Sequence, residues 1–164
     1  MSRFQQQLKQ DLKDPWHIEA ARRDKERLNA AGYTVVDFDF PSSLVFTSKQ
    51  RKALGFQDYR PDFLCFSFKK HKVFWWETKT RDSYDYLAEG YFLVKTTKLQ
   101  KYWWWVKTYN IPLYISLWLG KTWYGFQRLD RLQILGKLES RKYGCLEVYA
   151  KIDLTNFQED LTKI

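Results

Sequence analysis

Two apolar runs, Asp62 to Phe68 and Val73 to Lys79, are separated by the basic tetrad Lys69, Lys70, His71 and Lys72. Short runs rich in aromatic and β-branched side chains, joined by a polar break, predict a β-hairpin. A hairpin pairs its strands antiparallel, so the residue that opens the first strand returns beside those that close the second. Asp62 therefore comes back to Glu77, Thr78 and Lys79. Side chains two apart on a strand share a face, which puts Glu77 and Lys79 at one site and turns Thr78 away.

Two carboxylates and an ammonium at the end of a strand have a definite chemistry. Two oxygen ligands suit Mg²⁺ or Mn²⁺. A metal held there polarises a phosphoryl oxygen and lowers the pKa of bound water. Lys79 can orient that water or stabilise charge growing on the phosphate. The same residues also describe a hairpin edge closed by an ordinary salt bridge, and on the residues alone both readings stand.

The flanking segments place this hairpin in an α/β chain. Asp14 before Pro15 is a helix start, and Trp16 to Ala31 favours helix, with Ile18, Ala21 and Leu28 on one side and Gly32 as its stop. Asp24 and Lys25 make that apolar stripe ragged. Tyr33 to Phe40 reads as a strand, followed by a turn at Pro41 to Ser43 and a basic loop towards Arg60. Thr80 to Leu93 is mixed, with Gly90 as a breaker, and reads as a lid or insertion. Thr97 and Gln100 form a capping-box pattern, and Leu99, Tyr102, Trp103 and Val106 follow at helical spacing. Trp103, Trp104 and Trp105 cannot share one helical face, so this helix is covered on more than one side or exposes an aromatic contact that joins two subunits. Asn110 and Pro112 end it. Leu113 to Leu119 is strand-like, and Gly120 and Lys121 turn into Trp123 to Phe126. Arg128 to Arg141 reads as a short helix or basic loop, and Leu146 to Ile152 as a last strand. The expectation is a single domain over residues 1–164, with a core at about 14–126 and a C-terminal β/basic addition at 127–164.

Composition bounds the rest. At 164 residues and 45% hydrophobic, the chain can bury a core without disulfides or metal, and it is neither disordered nor low-complexity. Two cysteines and two histidines exclude a disulfide framework and make Cys/His zinc sites poor candidates, which suits a reducing compartment. The longest uncharged stretch, Thr108 to Gly120, has thirteen residues, short of the roughly 20 that span a bilayer. With no apolar secretory segment near the start, the expectation is a soluble, cytoplasmic protein. No phosphate-loop signature is present, so no intrinsic ATP site is expected. The net charge of +9 favours a polyanion, DNA foremost, through phosphate contacts. Its candidate contacts are Lys49, Arg51 and Lys52, then Arg60, the hairpin's Lys69, Lys70 and Lys72, and the Arg128 to Lys142 region.

Arg60-Pro61-Asp62 followed by Glu77-Thr78-Lys79 resembles the bipartite site of the PD-(D/E)xK nuclease superfamily, which includes archaeal, phage and viral nucleases and Holliday-junction resolvases. The likeness covers about Asp14 to Leu119. It implies an α/β, restriction-endonuclease-like core in αβββαβ order, with a mixed central sheet and flanking helices. It further implies a Mg²⁺- or Mn²⁺-dependent DNA endonuclease serving repair, recombination or viral genome processing, with junction resolution within reach of a homodimer. By this resemblance Asp62 and Glu77 ligate metal, the carbonyl of Thr78 adds a ligand, and Lys79 assists hydrolysis. Many relatives add an acid from the first helix, which Glu19 matches and for which Glu26 is the alternative. Gln100 matches a polar residue of the following helix, against its competing role in the capping box, and Lys98 and Lys101 flank it towards the DNA backbone. The rival reading is a noncatalytic nucleic-acid-binding or assembly protein on the same scaffold.

Overall fold

The computed structural model describes residues 15–37, 60–81, 89–142 and 144–164. The basic loop carrying Lys49, Arg51 and Lys52, and much of the expected lid, lie outside the described residues.

Helix α1, Pro15–Ala30, buries Ala20, Asp24 and Leu28. These positions step by four, the helical repeat that keeps side chains on one face. The buried face is therefore turned from the expected one: Ile18 is 62% exposed, and a carboxylate occupies the middle of the stripe. The helix ends in a Schellman motif. Tyr33 N donates to Leu28 O, and Gly32 N to Asn29 O, with Gly32 in the left-handed region at φ 90°.

Strands β1 (Thr34–Asp37), β2 (Phe63–Ser67) and β3 (Lys72–Arg81) follow. β2 and β3 form the expected hairpin, with Phe63 opposite Trp76 and Ser67 opposite Lys72. Next come β4 (Tyr91–Lys95), helix α2 (Thr96–Tyr109), β5 (Leu113–Leu119) and β6 (Thr122–Arg128). The main sheet runs β1-β2-β3-β5-β6. It is mixed, because β3 and β5 are parallel and its other pairs antiparallel.

Three expectations change. The stretch expected as a lid or insertion runs at its end into strand β4, and Arg128 to Arg141 holds a 3₁₀ turn at Leu129–Arg131 and most of strand β7 (Ile134–Lys142). With β8 (Cys145–Asp153) they make a second, antiparallel sheet in the order β4-β8-β7. The third concerns α2. Its N-cap is Lys95, without a side-chain cap bond, and the helix begins before Thr97, so the Thr97–Gln100 box is not the cap. Thr96 instead donates its hydroxyl to Val148 O on β8.

Strand alternation sorts the core into two faces. Leu28, Phe63, Cys65, Phe74 and Trp76 pack on the α1 side. Trp75, Leu113, Ile115 and Leu117 pack on the α2 side, where Phe92, Ala150 and Ile152 of the second sheet join Leu99, Tyr102 and Trp105. The three adjacent tryptophans split accordingly. Trp105 is buried edge-on against Trp75 at 5.2 Å, Trp104 packs on Trp105, and Trp103 faces outward at 37% exposure. Among the described residues, no helix is long and apolar enough to cross a membrane.

Candidate active site at the end of the hairpin

The hairpin brings Asp62 to the middle of β3. Asp62 Oδ2 accepts the amide of Thr78 at 2.7 Å. On the α2 face, Lys79 Nζ donates to Glu77 Oε1, and Tyr102 on α2 donates its hydroxyl to the same oxygen at 3.2 Å. Glu77 and Lys79 are 4% and 7% exposed. Asp62, Glu77, Thr78 and Lys79 are thus brought together.

Burial raises Asp62 well above the ordinary carboxylate range, and the negative charge of Glu77 adds to it; the Thr78 amide and Lys79 pull the other way. Burial works against the ammonium of Lys79, but Glu77 and Tyr102 beside it outweigh that and hold it above the usual lysine range. A buried carboxylate beside a second one is a donor whose charge a divalent cation relieves.

The backbone offers a further oxygen. Residues of one strand turn N–H and C=O to the same side in alternation. Trp75 N donates to Pro112 O on the β5 side, and Thr78 N turns to the opposite edge, where Asp62 sits. β2 pairs with β3 only as far as Phe63 opposite Trp76, so the Thr78 carbonyl faces the edge beyond the last paired residue. Carboxylates from Asp62 and Glu77 plus this carbonyl fit a hard cation such as Mg²⁺ or Mn²⁺. Among the described residues, no group of three His, Cys, Asp or Glu side chains forms a metal cluster.

The other residues singled out from the sequence have other partners or stand at the surface. Glu19 is bonded by Arg22, at 2.9 and 2.7 Å, and by Arg23 at 2.8 Å, and Glu26 is paired with Arg22. Gln100 is exposed on α2, with Lys98 exposed and Lys101 half-buried beside it. Lys69 and Lys72 are exposed at the hairpin turn, with Lys72 about 17 Å from Glu77, five residue steps along the strand. Lys70 is drawn inward, donating to Ala31 O at 3.0 Å and to the Tyr33 hydroxyl at 3.2 Å. Arg60 is half-buried.

Two residues were missed or undervalued. Tyr102 has two readings from the sequence, packing against the sheet, which is favoured, and approach to the region of Gln100; its hydroxyl reaches Glu77. Asp24 reads as an interruption of the helix, yet it is 1% exposed and accepts four hydrogen bonds from the sheet. Trp76 Nε1 and Thr78 Oγ1 donate to its Oδ2 at 2.9 and 2.8 Å, as does Ser116 Oγ, and Trp118 Nε1 donates to its Oδ1 at 2.9 Å. Burial raises its pKa against these donors. The signal for it is the four-residue step Ala20, Asp24, Leu28.

No family model matches the chain, and no curated protein matches its sequence. Among solved structures it is similar to Archaeoglobus fulgidus Hjc, a Holliday junction resolvase from an archaeal hyperthermophile. The TM-score is 0.51 at 14% sequence identity, covering 84% of this chain and 83% of that one. The molecule has a mixed α/β fold, with a mixed central sheet and, among the described residues, the helices α1 and α2, that resembles this nuclease fold.

Proposed function

We propose that this chain is a divalent-metal-dependent DNA endonuclease, acting as one nuclease domain, with branched duplexes such as four-way junctions as its substrate class. The observation that carries the reading is the 2.7 Å bond from the Thr78 amide to Asp62, which gathers both acids and Lys79 at one end of the hairpin. The fold likeness to a Holliday junction resolvase supports the substrate class.

In this reading Asp62, Glu77 and the carbonyl of Thr78 hold Mg²⁺ or Mn²⁺. Glu19 and Glu26 are already engaged by arginines, so the donors come from the hairpin rather than from α1. The metal supplies Lewis acidity towards a phosphoryl oxygen and an activated water. Lys79 donates towards the water or the oxygen that gains charge. Tyr102 steadies Glu77 through its Oε1. Lys98, Gln100 and Lys101 lie on the helix that carries Tyr102 and supply backbone contacts beside the site. Resolving a four-way junction takes two cuts, which a two-fold homodimer provides. Free thiols at Cys65 and Cys145 fit an intracellular setting.

A second reading, a noncatalytic DNA-binding scaffold, is favoured by one observation: Glu77 and Lys79 form a closed, buried ion pair. Incubation with labelled single-stranded, duplex, flap and four-way DNA, with and without Mg²⁺ or Mn²⁺, separates the two. The nuclease reading expects metal-dependent cuts in four-way DNA. Retention of DNA without cleavage under every condition supports the scaffold.

A further inference from the structure

We infer that Asp24 is a positioning residue for the metal-binding edge of β3, acting through Thr78 from the opposite face of the sheet. The inference rests on the metal-site reading above.

Asp24 is nearly sealed from solvent, and its four donors come from two adjacent parallel strands: Trp76 and Thr78 on β3, Ser116 and Trp118 on β5. If cohesion were its whole purpose, apolar side chains in place of Asp24 and its four donors together would serve as well, because a buried carboxylate carries a desolvation cost. What the carboxylate adds is geometric. It fixes where each donor must stand.

Thr78 is the residue on which that constraint matters for the site. Its hydroxyl is held by Asp24 at 2.8 Å and its amide by Asp62 at 2.7 Å. Its carbonyl is the backbone oxygen offered to the metal, and its neighbours in sequence are Glu77 and Lys79. β5 flanks this stretch on one side, with Thr78 opposite Ser116. On the other side the pairing with β2 ends at Trp76. A twist of β3 about its own axis would move Glu77 and the Thr78 carbonyl relative to Asp62, which precedes β2, and the Asp24–Thr78 bond opposes that twist. Contacts that orient metal ligands from behind contribute about 10–100-fold in metal affinity.

The test compares two variants that each remove one donor to Asp24 and leave every charge in place. Thr78→Val keeps the shape and the backbone carbonyl but loses the hydroxyl; Ser116→Ala loses its hydroxyl on the neighbouring strand. Mn²⁺ affinity is measured by titration calorimetry and folding by thermal melting. The expected result is a similar drop in melting temperature for both, about tenfold weaker Mn²⁺ binding for Thr78→Val alone, and recovery in Thr78→Ser. If Thr78→Val does not fold, Thr78→Ala is read the same way. Unchanged Mn²⁺ affinity in the folded Thr78 variant, or equal losses in both variants, overturns the positioning role while the metal site stands. A parent protein that binds no Mn²⁺ overturns the metal-site reading itself, and this inference with it.

Discussion

The indole of Trp118 donates to Asp24 Oδ1 at 2.9 Å, joining the end of β5 to the middle of α1. The remaining three donors converge on Oδ2. Removing this acceptor strands buried N–H and O–H groups on both strands, each at its own desolvation cost. Asp24→Ala is therefore expected to destabilise the protein by on the order of 3 kcal/mol or more. Urea denaturation measures this; a loss below about 1 kcal/mol would show that the donors find other partners.

At the hairpin end, Asp62→Asn and Glu77→Gln nearly preserve shape while each removes an anionic donor. Both variants should fold, bind Mn²⁺ at least tenfold more weakly, by analogy with losses of 10–100-fold from lesser changes around metals, and lose most metal-supported cleavage. Lys79→Ala should keep more of its metal affinity than either and still cut poorly, because its role is on developing charge. DNA affinity persists in all three and rises in the acid variants as repulsion of phosphate falls. Parallel assays of melting, Mn²⁺ affinity, DNA retention and cleavage check the set. Full nicking by folded Glu77→Gln would return the protein to the scaffold reading.

The hairpin was legible because two aromatic runs and a basic break leave little freedom of register, and Phe63 opposite Trp76 is the pairing that returns Asp62 to Thr78. The left-handed end of α2 at Asn110, φ 53°, was equally legible. Strand β7 was not. Lys137, Glu139, Ser140 and Arg141 carry no apolar face, and their extended conformation comes from pairing with β8, a contact distant in sequence for Ile134 and Ile152. Asp24 was hidden for a different reason: a charge on a helix is normally solvated, and only the sheet's donors make its burial tolerable. Glu19, which the resemblance assigns to the site, is paired on the surface with Arg22 and Arg23.

The hairpin turn separates two kinds of lysine. Lys70 Nζ lies over the Tyr33 ring at 4.2 Å and bonds Ala31 O at the C-terminal end of α1, where the helix dipole favours a cation. Lys70→Met should lower stability by about 1 kcal/mol and leave DNA affinity close to the parent's. Reversing the exposed Lys69 and Lys72 to Glu should leave stability within about 0.5 kcal/mol. It should weaken DNA binding across sequences and flatten the log–log salt dependence by roughly 2 if each lysine meets one phosphate. Anisotropy titrations over a range of NaCl give the slope. An unchanged slope removes the turn from the DNA path.

Acid stability tests the surface of α1. Hydrogen bonds from Arg22 and then Arg23 pull Glu19 from 4.5 down to about 2. The folded protein therefore holds fewer protons on this group than the unfolded chain between these values. Its stabilising contribution is present in full above about pH 4.5 and is lost as pH falls towards 2. Glu19→Gln should melt lower than the parent at pH 6, and the two curves should converge near pH 2. Asp130 and Asp160 are also held below their ordinary value, by Arg128 and by Thr162 respectively. Both proteins keep these groups, so the difference between them isolates Glu19. Because the pair is solvent-facing, about 0.5 M NaCl should shrink that difference through screening. A Glu19→Gln protein whose melting temperature follows the parent's at every pH would mean that the arginines give Glu19 no advantage in the folded state.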